Sequence, residues 1–126
     1  MSICCETTHS SLVIKAIGIE AARDAIIQNF PDGPESGDIK NLLSCYGYDS
    51  EYKSNGDLWI TDNFYGDDNE DVLVVLAPFM EGAMIMESEM SFWKFEVKAG
   101  KLYYIPGSIT WHDHAKKRVF KKGVKV

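Results

Sequence analysis

At 126 residues the chain is long enough for one hydrophobic core and too short for two ordinary domains. A composition of 45% hydrophobic and 25% charged residues excludes wholesale disorder. The longest apolar run, from Val72 to Met80, contains Pro78 and falls well short of the roughly 20 residues that span a bilayer. The net charge of −6 hides an asymmetry: six Lys or Arg and no acid follow position 114, so positions 1–114 hold seven basic and 19 acidic residues.

The start, Met1-Ser2-Ile3-Cys4-Cys5-Glu6, lacks a basic stretch followed by an apolar one, so no secretory leader is expected. Cys4, Cys5 and Cys45 are an odd set with one adjacent pair, a poor disulfide framework. They read as free thiols, and the expected location is cytoplasmic.

Ser11 to Ile17 reads as a central strand with apolar residues on both faces, ended by Gly18. Ile19, Ala22, Ile26 and Phe30 form one stripe of a helix over 19–30. Pro31 to Gly37 has loop composition. Asp38 suits the cap of a second helix, with Ile39, Leu42, Leu43 and Tyr46 inward and Gly47 at its end. Tyr48–Lys53 and Asp57–Asn63 then flank Ser54-Asn55-Gly56 as a hairpin. After an acidic loop over 64–71, Asn69 and Glu70 favour a helix to about Ala77, with a buried strand over Val72–Leu76 as the competing reading. Strands are expected at 83–89, 92–98, 101–105 and 108–111, with turns at Met90-Ser91, Ala99-Gly100 and Pro106-Gly107.

This order predicts an α+β fold: a ferredoxin-like, split βαβ antiparallel sheet with helices on one face and a C-terminal meander extension. Residues 1–114 form the expected domain and 115–126 a basic tail.

The run Ala77-Pro78-Phe79-Met80-Glu81-Gly82-Ala83-Met84-Ile85, continued by Glu89, Trp93, Phe95, Val97, Gly100, Lys101 and Trp111, resembles the C-terminal β-meander of small accessory proteins of phages and mobile elements. The resemblance implies a mobile-element role and carries no catalytic residue.

Chemistry concentrates in three places. Asp57, Asp62, Asp67, Asp68, Glu70 and Asp71 interleave with Trp59, Phe64 and Tyr65. Carboxylates with aromatic anchors suit a basic protein partner. Their bland counterpart is a solvated loop with acids at a helix start. Asp62 to Asp67 departs from the calcium-loop pattern, because Phe64 replaces a ligand and Gly66 comes one place early. Lys116, Lys117, Arg118, Lys121 and Lys122 form the second group, fit to contact phosphates, to fold back on the acidic body, or to act as a solubilising end. His112 and His114 share a strand parity that a metal could use. A third ligand would have to come from Cys4, Cys5, Cys45 or His9, and solvated histidines are the expectation.

No phosphate-binding glycine loop, dinucleotide fingerprint, Gly-x-Ser-x-Gly or His-Glu-x-x-His is present. The sequence therefore predicts a non-enzymatic inhibitor without metal or cofactor, which binds a basic partner protein. Its sharpest version is a phage-encoded anti-CRISPR or anti-restriction protein masking the nucleic-acid-binding surface of a defence complex. The site residues expected are Asp57, Trp59, Asp62, Tyr65, Asp67, Asp68, Glu70 and Asp71. The alternatives are a nucleic-acid-binding accessory protein using the basic tail, an immunity or antitoxin-like neutraliser, and a small enzyme built on His112 or His114. No membrane partner is expected. An edge strand near Trp111 could pair two copies in a homodimer.

Overall fold

The structure is a computed structural model that describes residues 6–63, 70–88, 91–112 and 115–126, in backbone alone at residues 6, 108–112 and 115–119. In chain order the strands and helices are β1 (Glu6–Ser10), β2 (Val13–Ile14), α1 (Ile19–Asn29), α2 (Ile39–Cys45), β3 (Tyr48–Tyr52), β4 (Leu58–Asn63), α3 (Glu70–Leu76), β5 (Met80–Glu87), β6 (Phe92–Lys98), β7 (Lys101–His112), β8 (Ala115–Phe120) and β9 (Val124–Lys125). The fold is α+β, with one sheet ordered β3-β4-β2-β5-β6-β7-β8. β1 pairs β5, β9 pairs β7, and every pairing is antiparallel.

β1 and β2 behave as one central strand. The register against β5 is the same at His9↔Ile85 and Ser10↔Met84 as at Val13↔Glu81 and Ile14↔Met80. Between them Ser11 N–H donates to the Ala83 carbonyl at 2.7 Å, and Ile60 N–H donates to that of Leu12 at 3.0 Å. The strand expected over 11–17 thus starts earlier and stops at Ile14. It stops because the Asp57 carboxylate accepts Ala16 N–H at 2.8 Å and draws the chain out of the ladder. Ala16–Gly18 is a 3-10 turn, and Ile17 is 97% exposed rather than packed.

The helices form where apolar spacing matches a helical turn. Ala22 and Ile26 of α1, Ile39, Leu42 and Leu43 of α2, and Val72, Leu73 and Leu76 of α3 are all buried. Asp38 caps α2 by accepting Asn41 N–H at 2.8 Å. These residues share one core with Leu12, Ile14, Leu58, Ile60, Met84 and Phe95 from a single face of the sheet. The β3–β4 hairpin closes through Lys53 N–H to the Asp57 carbonyl at 2.8 Å.

The turn expected at Pro106-Gly107 is instead the middle of β7, which runs unbroken over twelve residues. Glycine is needed there for space. A Cβ on Gly107 would come within 2.5 Å of the Phe92 ring, which is buried. β6 pairs β7 from Lys101 to Pro106, and β8 pairs it from Gly107 to His112. Lys121 N–H donates to the Pro106 carbonyl at 2.7 Å and Val126 N–H to that of Leu102 at 2.9 Å, so residues 115–126 follow one edge of β7 along its length.

Candidate binding face

Alternation along the strands sets a second face opposite the helices, and among the described residues no helix packs on it. On β3 the buried positions are Tyr48 and Ser50, while Asp49 and Glu51 are exposed. On β4 Leu58 and Ile60 are buried, while Trp59 is 38% exposed. The hairpin register sets Asp49 opposite Asp62 and Glu51 opposite Trp59, with a shift between Asp49 and Ser50. Trp59 lies in turn beside Val13, which is buried and adjoins Glu81 on β5. The result is an aromatic ring among the carboxylates of Asp49, Glu51, Asp62 and Glu81.

Two lysines stand at the margin of this group. Lys53 Nζ sits 4.0 Å from the Trp59 ring centroid and 3.8 Å from Glu51. Such a contact at an exposed site is worth about 0.5–1 kcal/mol. Lys15 Nζ lies 3.0 Å from Glu81 and 3.7 Å from Asp57. Its pKa is raised, first by the hydrogen bond and attraction of Glu81 and then by Asp57.

Farther along the same face the sign of the charge changes. Lys98 faces Lys101 across the β6–β7 ladder, and Lys94 and Lys98 approach Glu96 at 3.7 and 3.0 Å. The uncovered face is therefore acidic along β3 and β4 and mixed to basic along β6 and β7.

The residues singled out from the sequence separate in the fold. Trp59 and Asp62 belong to the acidic patch. Asp57 is only 14% exposed in its side chain and is engaged by Ala16 N–H and Lys15, which makes it a structural group of the turn. Glu70 and Asp71 begin α3, in the helical layer. Tyr65, Asp67 and Asp68 lie outside the described residues. Lys116, Lys117 and Arg118 fall within β8, and Lys121 and Lys122 follow it, exposed. Sequence reasoning missed Asp49 and Glu51. The signal was available in the alternation Tyr48-Asp49-Ser50-Glu51 beside the Asn-Gly turn, which sets the parity of both strands.

Elsewhere a cleft of about 490 Å³ lies between the start of α3 and the meander, floored by Trp93, Phe95, Tyr104 and Val124 with Glu70 at its edge. Among the described residues no three His, Cys, Asp or Glu side chains gather as a metal site requires, and Cys45 is an exposed free thiol. Cys4, Cys5 and His114 lie outside the described residues. No helix among the described residues is long and apolar enough to cross a membrane. No protein-family model, curated protein or solved structure matches this chain.

Proposed function

We propose that this chain is a non-enzymatic inhibitor that binds a cationic partner protein through the uncovered face of its β3–β4 hairpin. The observation that carries this reading is the direct opposition of Asp49 and Asp62 beside the half-exposed Trp59. Like charges opposed across a ladder cost stability, so a fold that keeps them is better explained by a partner that supplies the missing cations. Negative potential speeds encounter with a basic surface, and a rigid indole gives a desolvated anchor once docked.

The partner on this reading is a nucleic-acid-binding defence complex of the anti-CRISPR or anti-restriction kind, acted on in the cytoplasm. The carboxylates would take the place of phosphates in its groove. The fold itself is read as ferredoxin-like. If β1 and β2 count as one strand, the order β3-β4-β2-β5 with α1–α2 and α3 as the two crossovers supports a split βαβ unit, and β6–β9 are its extension.

The test is capture of purified RNA-guided and restriction effector complexes on the immobilised chain, with nuclease activity measured alongside. The parent should bind in a salt-sensitive way and suppress cleavage. The variant Asp49→Asn/Glu51→Gln/Asp62→Asn should lose at least tenfold in affinity. Equal capture by parent and variant, or no capture at low salt, would refute the proposal.

A further inference from the structure

The basic residues of this chain concentrate in the part of the fold that leaves the sheet. β6 accompanies β7 only as far as Pro106, opposite Trp93. Beyond the Gly107↔Phe120 pair, β7 and β8 continue alone through Ser108↔Val119, Ile109↔Arg118, Thr110↔Lys117, Trp111↔Lys116 and His112↔Ala115. Five residues per strand make a two-stranded ribbon on the order of 17 Å long. Lys116, Lys117 and Arg118 are consecutive on its outer strand. At its base Lys121, Lys122 and Lys125 are exposed, and none of the three makes an ion pair among the described residues.

We propose that the β7–β8 ribbon is a nucleic-acid-binding arm that lies in the major groove of a duplex, with its basic strand against the phosphates. A two-stranded antiparallel ribbon fits a groove about 12 Å wide. Lysines and arginine that neutralise phosphates release condensed counterions, which drives binding without a preformed pocket. The ribbon is anchored at its root. Phe120 packs edge-on against the buried Phe92 with ring centroids 4.8 Å apart, and Lys94 Nζ lies 4.5 Å from the Phe120 ring.

The obvious objection is that a chain of net charge −6 repels nucleic acid. The sheet order answers it. β4 is four strands away from β7, and β3 is six away from β8. At about 4.8 Å per strand that is roughly 19 to 29 Å. The screening length at physiological salt is about 8 Å, so the Asp49, Glu51 and Asp62 patch is largely invisible to a duplex at the ribbon. Among the described residues the acids nearer the ribbon include Glu87, which shares a hollow with Phe120, Glu6 opposite it on β1, and Glu70 at the edge of the cleft that Lys125 also lines. Asp113 occurs in the sequence between the two strands, and six Lys or Arg follow position 114.

This arm is independent of the acidic face, because the residues that test it lie on other strands. Fluorescence anisotropy with a labelled duplex DNA, its single strand and a duplex RNA, over a salt series, gives the measurement. The intact chain should bind the DNA duplex most tightly, with affinity falling steeply in salt. Lys116→Ala/Lys117→Ala/Arg118→Ala should weaken binding more than tenfold and reduce the salt slope by about three phosphate contacts. Lys121→Gln/Lys122→Gln alters exposed side chains only and carries the test should the triple variant fail to fold; a smaller loss of affinity and slope is expected. Lys98→Gln, at the far end of β6, should bind as the parent does. The proposal is overturned by an absence of binding at about 50 mM salt, by preference for the single strand, by an unchanged slope in a folded variant, or by a ribbon that pairs two copies and binds no nucleic acid.

Discussion

Asp49 and Asp62 stand opposite each other across β3 and β4, on the side of the sheet that no helix covers among the described residues. Directly opposed like charges weaken an antiparallel pair by about 0.2–1 kcal/mol. Asp49→Asn should therefore raise unfolding stability by that amount at low salt. The gain should shrink as added salt screens the pair. Urea denaturation at two ionic strengths measures both effects, and identical midpoints for parent and variant at low salt would show that the carboxylates do not repel. The same substitution should weaken capture of a cationic partner, so stability and binding are expected to move in opposite directions.

Gly82 lies within β5, paired with Val97 and packed against Ser11 of the central strand. Its φ of +101° is a conformation that side chains rarely adopt, and a Cβ there would run into the Ser11 carbonyl. The obstacle is backbone in the middle of the sheet and cannot swing aside. Gly82→Ala should cost more than about 2 kcal/mol, from strain and displacement together. A thermal midpoint within a degree or two of the parent would mean that the strand relaxes around the methyl group.

Ala99 offers the reverse case. It turns β6 into β7 with φ +52°, followed by Gly100 at +75°. Two successive positive φ values are the pattern of a tight two-residue hairpin turn, for which Asn-Gly is favoured over Ala-Gly. Ala99→Asn should stabilise the chain by roughly 0.5–1 kcal/mol, because asparagine tolerates this conformation better than alanine does. Denaturant midpoints decide it, and a loss of stability would contradict the turn geometry.

Local signals made much of this layout readable. The stripe Ala22–Ile26, the Asp38 cap, the Asn55-Gly56 turn and the alternation Trp93-Phe95-Val97 each specify an element by short-range chemistry, and each forms where expected. The misreadings have long-range causes. β1, Glu-Thr-Thr-His-Ser, has no apolar alternation of its own. It is held by partners far away in sequence, as when the Thr7 hydroxyl donates to the Met86 sulfur and accepts Asn63 N–H. Pro106-Gly107 has turn composition, yet the glycine answers to the Phe92 ring on the next strand. The acidic run split for a similar reason. Residues 57, 62 and 70 are close in sequence, but successive elements carry them to a turn, a sheet face and a helix start.

The Phe92–Phe120 contact fixes how the basic ribbon leaves the sheet. Phe92 is 1% exposed although it lies on the face without helices, and Gly107 is the residue against which its ring closes. Gly107→Ala should force the ring aside and cost about 1–3 kcal/mol. Phe120→Ala should free the ring of its aromatic neighbour and loosen the root of the ribbon. Amide hydrogen exchange reads this directly: protection of β8 should fall while that of β3 and β4 stays as in the parent. Uniform loss of protection would mean that the ribbon and the sheet unfold as one unit.

Alkaline pH should destabilise the fold, with three groups acting in the same direction. Burial raises the Tyr46 phenol above its usual 10.0, with a smaller contribution from Cys45. Burial likewise raises Tyr52, followed by the charge of Asp38. Glu81 and then Asp57 raise Lys15 above 10.5. In each case the folded chain holds its proton to higher pH than the unfolded chain does. Above about pH 10 the unfolded state therefore binds fewer protons, and stability falls as pH rises. Below the unfolded values these contributions are fully present, so the profile near neutrality should be flat with respect to them. Urea midpoints between pH 8 and 11.5 give the measurement. Tyr46→Phe should remove part of the alkaline slope, since its ring tilts against Phe30 at 5.2 Å and keeps that packing without the hydroxyl. Lys15→Met should remove another part by deleting the ammonium that Glu81 and Asp57 hold. A parent curve that stays level through pH 11 would show that none of these protons is retained on folding.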